Sequence, residues 1–534
     1  MKYIKYFLVA VSLVAVFVSC DSKLDVSNPN LQTSADFWQN ESQIAEGVVA
    51  IYNRLLIDGT YMRTLPALMD VRGDDVNSNS PWTLYPLTGN FTIQADYGGD
   101  GSGVMWIWRD LYQLIAKANL VFYYAPNVTF SSQDYKNRLL GQAYYLRGLA
   151  YYMLAENFQK VPLVIKKPLD QNDYYPATAS EDALWSQIIS DLKNAQSMLP
   201  TSYSKVTGTD QGQTGRATWG AATGLLGKAY LIRKDYSSAA TELKKVIDSN
   251  LYSLVSNYGD NFTMSNENNS ESLFEVQFGN YGTTENWIGD PSSSWKQASS
   301  LDYPYGMTAY GAWGDFHPTQ WLYSEFKQER CKDGKLDPRL YWTIVSYEPE
   351  YDTYTDGRSN TIFGEKPYST GKLDNTNTTI YIAKYTYARI PGYTAEGGGS
   401  RANSAINYRV MRYSEVLLMY AECEAQLGDM STAAKYVQMV RNRSNLPDRT
   451  TEFAAYTKDQ FMTQLAHERA LELGIESVRF LDVMRWGWLY DATKLAALKS
   501  HDSEYNTWVS GHEYLPVPQV ELDVNPNLSG NSAN

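Results

Sequence analysis

The chain has 534 residues, with 59 acidic against 46 basic side chains and a formal charge of −13. So acidic a surface repels a phosphate backbone and makes nucleic acid a poor partner. With 43% hydrophobic residues the chain is globular, long enough for two or three domains or one large lobed one.

The first residues read as a secretory signal: Lys2 and Lys5, then an apolar run from Tyr6 to Val18 broken only by Ser12, then Ser19 and Cys20. A membrane span needs about 20 apolar residues. This run is shorter and stops at a small residue and a cysteine, where lipoprotein processing cuts and acylates the thiol, although Phe17 stands where such sites usually carry Leu, Val or Ile. Residues 1–19 are therefore expected to be a signal peptide, Cys20 the lipidation site, and 20–35 a polar tether. No later apolar run is long enough to span, so the lipid would be the membrane attachment.

Next come amphipathic segments with apolar residues at three-to-four spacing, at about 36–57, 103–123, 133–158, 180–199, 216–233 and 237–249. Ser34 or Asp36 is the expected cap of the first. Residues 36–250 form the first part of a helical lobe. Residues 251–405 turn to Gly, Ser, Asn, Thr and aromatics, with short strand-like runs at 273–278 and 379–387. This stretch is too aromatic for disorder and reads as a loop-rich, ligand-binding lobe. Helical periods return at 408–427, 431–443 and 457–486, within a second part of the helical lobe spanning 406–490, and 491–534 reads as a C-terminal loop segment. The expected class is mainly α.

Two helix pairs share a finer pattern. Leu226, Gly227 and Tyr230 precede a turn at Lys234-Asp235, with Ala239 and Leu243 beyond it, which matches the tetratricopeptide pattern. The turn Gly428-Asp429-Met430 and Ala433 stand in the same relation in 410–443. The two pairs lie too far apart in the chain for a simple tandem array.

With these parts in place, the chain resembles the SusD-like (RagB/SusD) family over nearly its whole length. The resemblance rests on CDSKLDVSNPN after the signal, QIAEGVVAIYNRL, WRDLYQLIAKANLVF, AYYLRGLAYYMLAENFQKVPLV, GRATWGAATGLLGKAYL, YRVMRYSEVLLMYAECEAQLGD, ERALELGIESVRFLDVMRWG and LPVPQVELDVNPNLSGN, in that order. It implies a tetratricopeptide-like α-α scaffold bearing a loop-rich lobe, and a lipid anchor in the outer membrane facing outward. It also implies a role as the glycan-capturing lid of a SusC-like TonB-dependent transporter. A glycan-degrading lipoprotein and a helical-repeat scaffold for protein assembly are the alternatives.

The residues favour binding over catalysis. Glu468, Glu472 and Glu476 recur at four-residue spacing and line one helix face, whereas glycoside hydrolysis needs two carboxyls across a cleft. With arginines interleaved they read as structural, Glu476 pairing with Arg479 and Asp482 with Arg485. His317, His467, His501 and His512 have no metal-ligand spacing, and no nucleophile elbow or phosphate loop is present. The run Asp96 to Gly103 lacks the alternating acids of a calcium loop and reads as a glycine-rich turn. No catalytic residue, metal or cofactor is expected. Cys331 and Cys423 form no CxxC motif, and Cys423 reads as a small buried residue on a helix.

The aromatics point to the ligand surface: 43 Tyr and 14 Trp against 16 Phe, rings with a polar handle that can be half exposed. Sugar binding needs flat apolar faces flanked by hydroxyl partners. Asp74, Asn77, Trp82 and Tyr97 offer both in one loop, with Asp75 and Tyr85 beside them. Trp287, Trp295, Tyr305 and Trp313 lie in a second loop region, 281–313. Trp106, Trp108 and Trp486 fall on helical periods and are expected in the core. The anchor is directly testable: Cys20→Ala should release an otherwise folded protein from the outer-membrane fraction, and retention at normal levels after a high-salt wash would refute it.

Overall fold

The computed structural model describes residues 37–99, 103–279, 298–390, 392–393 and 404–534. Cys20 and the tether lie outside them, as do Trp287 and Trp295. The main helices are α1 (Glu41–Asn53), α2 (Gly103–Tyr124), α3 (Gln133–Phe158), α4 (Glu181–Met198), α5 (Trp219–Ile232), α6 (Tyr236–Asp248), α7 (Tyr413–Leu427), α8 (Met430–Arg443), α9 (Lys458–Leu473) and α10 (Arg479–Arg485). Several start where a side-chain oxygen takes up an orphan N–H: Asn40 for α1, Ser132 for α3, Ser180 for α4, Thr218 for α5. At α9 Thr457 and Gln460 form a reciprocal capping box.

The two tetratricopeptide-like pairs are one unit used twice. Asp235 and Asp429 each cap the second helix, accepting from Ser238 and Thr432, with nearly the same backbone, φ −83 and ψ 73 against φ −90 and ψ 77. The residue before each is left-handed: Lys234 at φ 59 and Gly428 at φ 98. Helix α6 packs directly on α7, so the pairs stack despite their separation in sequence. Ala239, Leu243 and Ala433 are fully buried in the seams. Gly227 marks the tightest approach: a Cβ there would stand 2.7 Å from Leu243 Cγ.

Among the described residues the strands form three antiparallel ribbons: β1 (Val76–Ser78) with β3 (Phe316–Pro318), β2 (Ser272–Val276) with β6 (Tyr408–Arg412), and β4 (Ile344–Val345) with β5 (Tyr381–Ile382). One apolar core runs through helices and loops alike, taking in Val48, Leu149, Leu226, Leu340, Ile382 and Leu471.

Four departures from the sequence reading have identifiable causes. The first helix starts at Glu41 behind Asn40, well after Ser34 and Asp36. Residues 408–412, read as helix, are strand β6, drawn into extended form by pairing with β2. The expected helix 457–486 breaks after Leu473. Ile475 and Ser477 take positive φ there while donating their N–H groups to Asp75 and Asp70. The C-terminal segment carries a helix, Ala492–His501, capped by Asp491. Cys331 and Cys423 are both free and buried.

The α9 carboxylates Glu468 and Glu472, and Glu476 just past the end of that helix rather than on its face as expected, lie in a buried ion network. Glu468 and Glu472 are fully buried and Glu476 is nearly so. Glu472 meets Arg412 at 2.5 Å, Arg443 at 2.5 Å and Arg339 at 3.2 Å. Glu468 binds Arg339 and Arg441; Glu476 binds Arg412 and Lys384. Burial pushes the Glu472 carboxyl up, but Arg443, Arg412 and Arg339 outweigh it and hold the group well below the usual carboxylate range. The expected pair of Glu476 with Arg479 does not form, because Arg479 turns to Asp74; Asp482 and Arg485 do pair, at 2.7 Å.

Two substitutions test this scaffold. Gly227→Leu overpacks the α5–α6 seam and should lower stability by about 1 to 3 kcal/mol, read from the denaturant midpoint; an unchanged midpoint would place that seam elsewhere. Glu472→Gln leaves three guanidinium groups short of a counter-charge and should cost about 3 to 5 kcal/mol in the same measurement.

Candidate ligand-binding site

Ribbon β1–β3 brings the two aromatic loops together. Ser78 pairs with Phe316 in antiparallel register. Trp82 follows four residues after Ser78 and Trp313 precedes Phe316 by three, so both leave the same end of the ribbon. The junction is tightened by the Asp315 carbonyl, which accepts from the Asn79 N–H at 3.1 Å and the Ser78 hydroxyl at 2.9 Å. The turn before it closes through Trp313 N–H to the Tyr303 carbonyl at 2.9 Å, with Gly311 and Gly314 at positive φ.

Arg63 reaches both indoles, its guanidinium carbon 5.3 Å from the Trp82 ring centre and 5.9 Å from that of Trp313. Asp58 fixes it, accepting from Nε at 2.9 Å and from Nη2 at 2.5 Å. The irregular turn Asp58–Met62 exists because Gly59 passes hard against the Asp110 carboxylate and the Trp106 backbone, where no Cβ fits. A charge-paired guanidinium against two indoles orients both rings by cation–π attraction. Trp82 also meets Tyr85 edge-on at 4.9 Å and Trp106 at 5.8 Å, and Trp313 leans on Tyr303 at 5.0 Å. Trp82 is half-buried and Trp313 is 41% exposed. Tyr97 joins the same surface, its hydroxyl 2.9 Å from that of Thr83.

The other expected contacts hold the ribbon from beneath. Asp74 is fully buried, bound to Arg479 at 2.5 Å and to His501 at 2.9 Å. Burial raises its carboxyl, but Arg479 and His501 outweigh that and bring it down to about 2. Asp75, also buried, goes the other way: desolvation and the like charge of Asp70 push it up to about 7. Tyr305 is fully buried and donates to Asp70 at 2.6 Å. Asn77 is half-buried and donates to Asp502 at 3.3 Å. Asp74, Asn77 and Tyr305 are thus engaged inside the protein, and Tyr85 is core. The stretch 74–97, read as loop throughout, contains β1 and a short helix, Leu84–Gly89.

Sequence reasoning missed Arg63, which no motif marks. It placed Trp106 in the core, whereas this ring is half-buried against Trp82; its position in the first turn of α2 was the available signal. Trp486 is likewise half-buried, its indole N–H donating to Glu422, while Trp108 is core as expected. Among the described residues no three His, Cys, Asp or Glu side chains are arranged to hold a metal ion.

Comparison with known proteins agrees with this architecture. Residues 270–533 match the model of the SusD family, and residues 23–231 match one described as starch-binding, associating with outer membrane. SusD-like protein P25 of Formosa agariphila is 24% identical, with 98% of each chain covered. A SusD superfamily crystal structure from Bacteroides vulgatus aligns at TM-score 0.77 and 25% identity, covering 93% of this chain and 100% of that one. The surface glycan-binding protein A of Bacteroides thetaiotaomicron, solved with laminarihexaose, aligns at TM-score 0.71 and 22% identity over 92% of this chain and 100% of its own. In its tetratricopeptide-like scaffold and its matched segments alike, the chain belongs to the SusD family.

Proposed function

We propose that this protein captures oligosaccharides at the cell surface through the Trp82–Arg63–Trp313 cluster and passes them to a SusC-like TonB-dependent transporter, held at the outer membrane by acylated Cys20. The observation that carries the reading is the cluster: two indoles from separate loops, set at one end of a ribbon and both within reach of a guanidinium that Asp58 neutralises. Such rings present the flat apolar surface that the C–H faces of a pyranose need, and the hydroxyls of Tyr97 and Thr83 lie beside them. The laminarihexaose complex of a similar structure and a second one called a laminarin-binding SusD-like protein make laminarin the first ligand to try. The membrane association follows the description of the matching family.

Binding without hydrolysis is the reading favoured over a glycan-degrading one. The carboxylates that the sequence offered as an acid–base pair, Glu468, Glu472 and Glu476, are ion-paired in the interior and out of reach of a sugar. Incubation with a retained polysaccharide should release no new reducing ends.

Trp313→Ala and Trp82→Ala should each weaken retention on the polysaccharide that the parent binds, by about 1 to 3 kcal/mol, the scale for losing a large apolar contact. Trp313→Ala should leave the melting temperature unchanged, because that ring is 41% exposed. Parent-like affinity gels for both variants would move the site elsewhere.

A further inference from the structure

A second surface in the loop-rich region has the same chemistry and no part in the cluster above. It is a cleft of 490 Å³ among residues 347–375, with Tyr347, Tyr351, Tyr354 and Tyr368 in its wall. That volume lies within the range of about 300 to 1,000 Å³ typical of small-ligand sites.

The cleft is built rather than incidental. Tyr347 and Tyr368 are half-buried, with ring centres 5.2 Å apart and planes at 52°. The backbone of Tyr347 is held on both sides by Asn377, which accepts from its N–H at 2.8 Å and donates to its carbonyl at 2.8 Å. Asn360 grips the next residue in the same way, accepting from Glu348 N–H at 3.0 Å and donating to the Glu348 carbonyl at 2.8 Å. From behind, the buried Arg389 stacks on Tyr341 at 4.1 Å and donates to the carbonyls of Ser359 and Thr361, both in the cleft wall. The wall is therefore ordered before any ligand arrives, which reduces the entropy lost on binding.

What it lacks is a partner for one of its own groups. Tyr351 is 2% exposed, and its hydroxyl has no hydrogen-bond partner among the described residues. A buried hydroxyl left so is costly, and a small shift of this ring toward the cleft would let a ligand hydroxyl or a bridging water pair with it. The charges at the cleft do not single out an anion: Arg358 is neutralised by Asp356 at 2.8 Å, and Lys366 is accompanied by Asp352. Phenol rings, amides and hydroxyls with balanced charge suit an uncharged, hydroxyl-rich ring.

We infer that this tyrosine-walled cleft is a second saccharide-binding site, an inference that rests on the glycan-capturing reading above. The two surfaces are structurally joined. Tyr310, three residues before Trp313, packs on Phe363 at 4.9 Å, and Lys372 lies 4.3 Å from its ring centre. Residues beside the cleft thus lean on the loop that carries Trp313, and one long glycan engaging both surfaces would be held by avidity.

The test uses affinity gels with laminarin and starch, and calorimetry with laminarihexaose, on the parent protein, Tyr347→Ala/Tyr368→Ala, Trp82→Ala/Trp313→Ala and the fourfold variant. The tyrosine pair should lower retention on the bound polysaccharide by about fivefold or more, as for other aromatic anchors. The tryptophan variant should keep a residual retention that the fourfold variant loses. Lys366→Ala, which alters an exposed side chain of the same wall, should move retention in the same direction and guards against misfolding of the tyrosine variant. If the tyrosine and rim variants match the parent on a polysaccharide that the parent retains, the second site is refuted while the first stands. If the parent retains neither polysaccharide and a wider glycan panel also fails, both readings fall together.

Discussion

The rest of the molecule hangs on the buried ion network around the C-terminal end of α9. Carboxylates at 468, 472 and 476 are met by Arg441 and Arg443 from α8, Arg412 from β6, and Arg339 and Lys384 from the loop-rich region. Removing so many charges from water is expensive, and mutual attraction repays it only when nearly every group is satisfied. Those conditions are met here by additional bonds to the backbone, as from Arg412 and Tyr258 to the Glu472 carbonyl and from Lys384 to that of Gly474. The network is therefore a registry device: it forms only when helices and loops from distant parts of the chain arrive in one arrangement.

Its influence reaches the surface through the break after Leu473. Where the helix stops, the N–H groups of Ile475 and Ser477 are taken by Asp75 and Asp70. Asp70 in turn receives the Tyr305 hydroxyl, and Asp74 is locked by Arg479. These residues flank or underlie ribbon β1–β3, which sets Trp82 beside Trp313. A rigid support of this kind lets loops present large rings at a fixed spacing, the arrangement that gives a few aromatic contacts most of the binding energy.

How much of this the sequence discloses depends on whether the cause is local. The helix Gln133–Phe158 is legible to the residue, because Ser132 is a cap and no proline interrupts the run to its end. The repeated turns at Asp235 and Asp429 are legible for the same reason. Residues 408–412 and 474–478 are not, since their conformation is set by partners far along the chain, β2 in one case and Asp70 and Asp75 in the other. The same limit applies to the site. A tryptophan in a loop announces itself, but Asp74 and Tyr305 have the composition of ligand contacts and are instead tied inward, and Arg63 gains its place only once Trp82 and Trp313 flank it.

The direct stacking of α6 on α7 has a consequence for how such proteins diversify. The chain leaves the helical stack after α6 and rejoins it at α7, with exit and re-entry held together by the pairing of Val276 with Tyr408. Closing a longer loop raises the entropic penalty only logarithmically. The inserted region can thus lengthen, shorten or exchange its aromatic surfaces while the helical stack stays as it is. The exchange is bounded by the core: whatever sequence fills the insertion must still deliver cations where Arg339 and Lys384 now stand, or Glu468, Glu472 and Glu476 lose part of their counter-charge in the interior. Recognition surfaces in this architecture are free to drift, whereas these two inward-pointing positive charges are not.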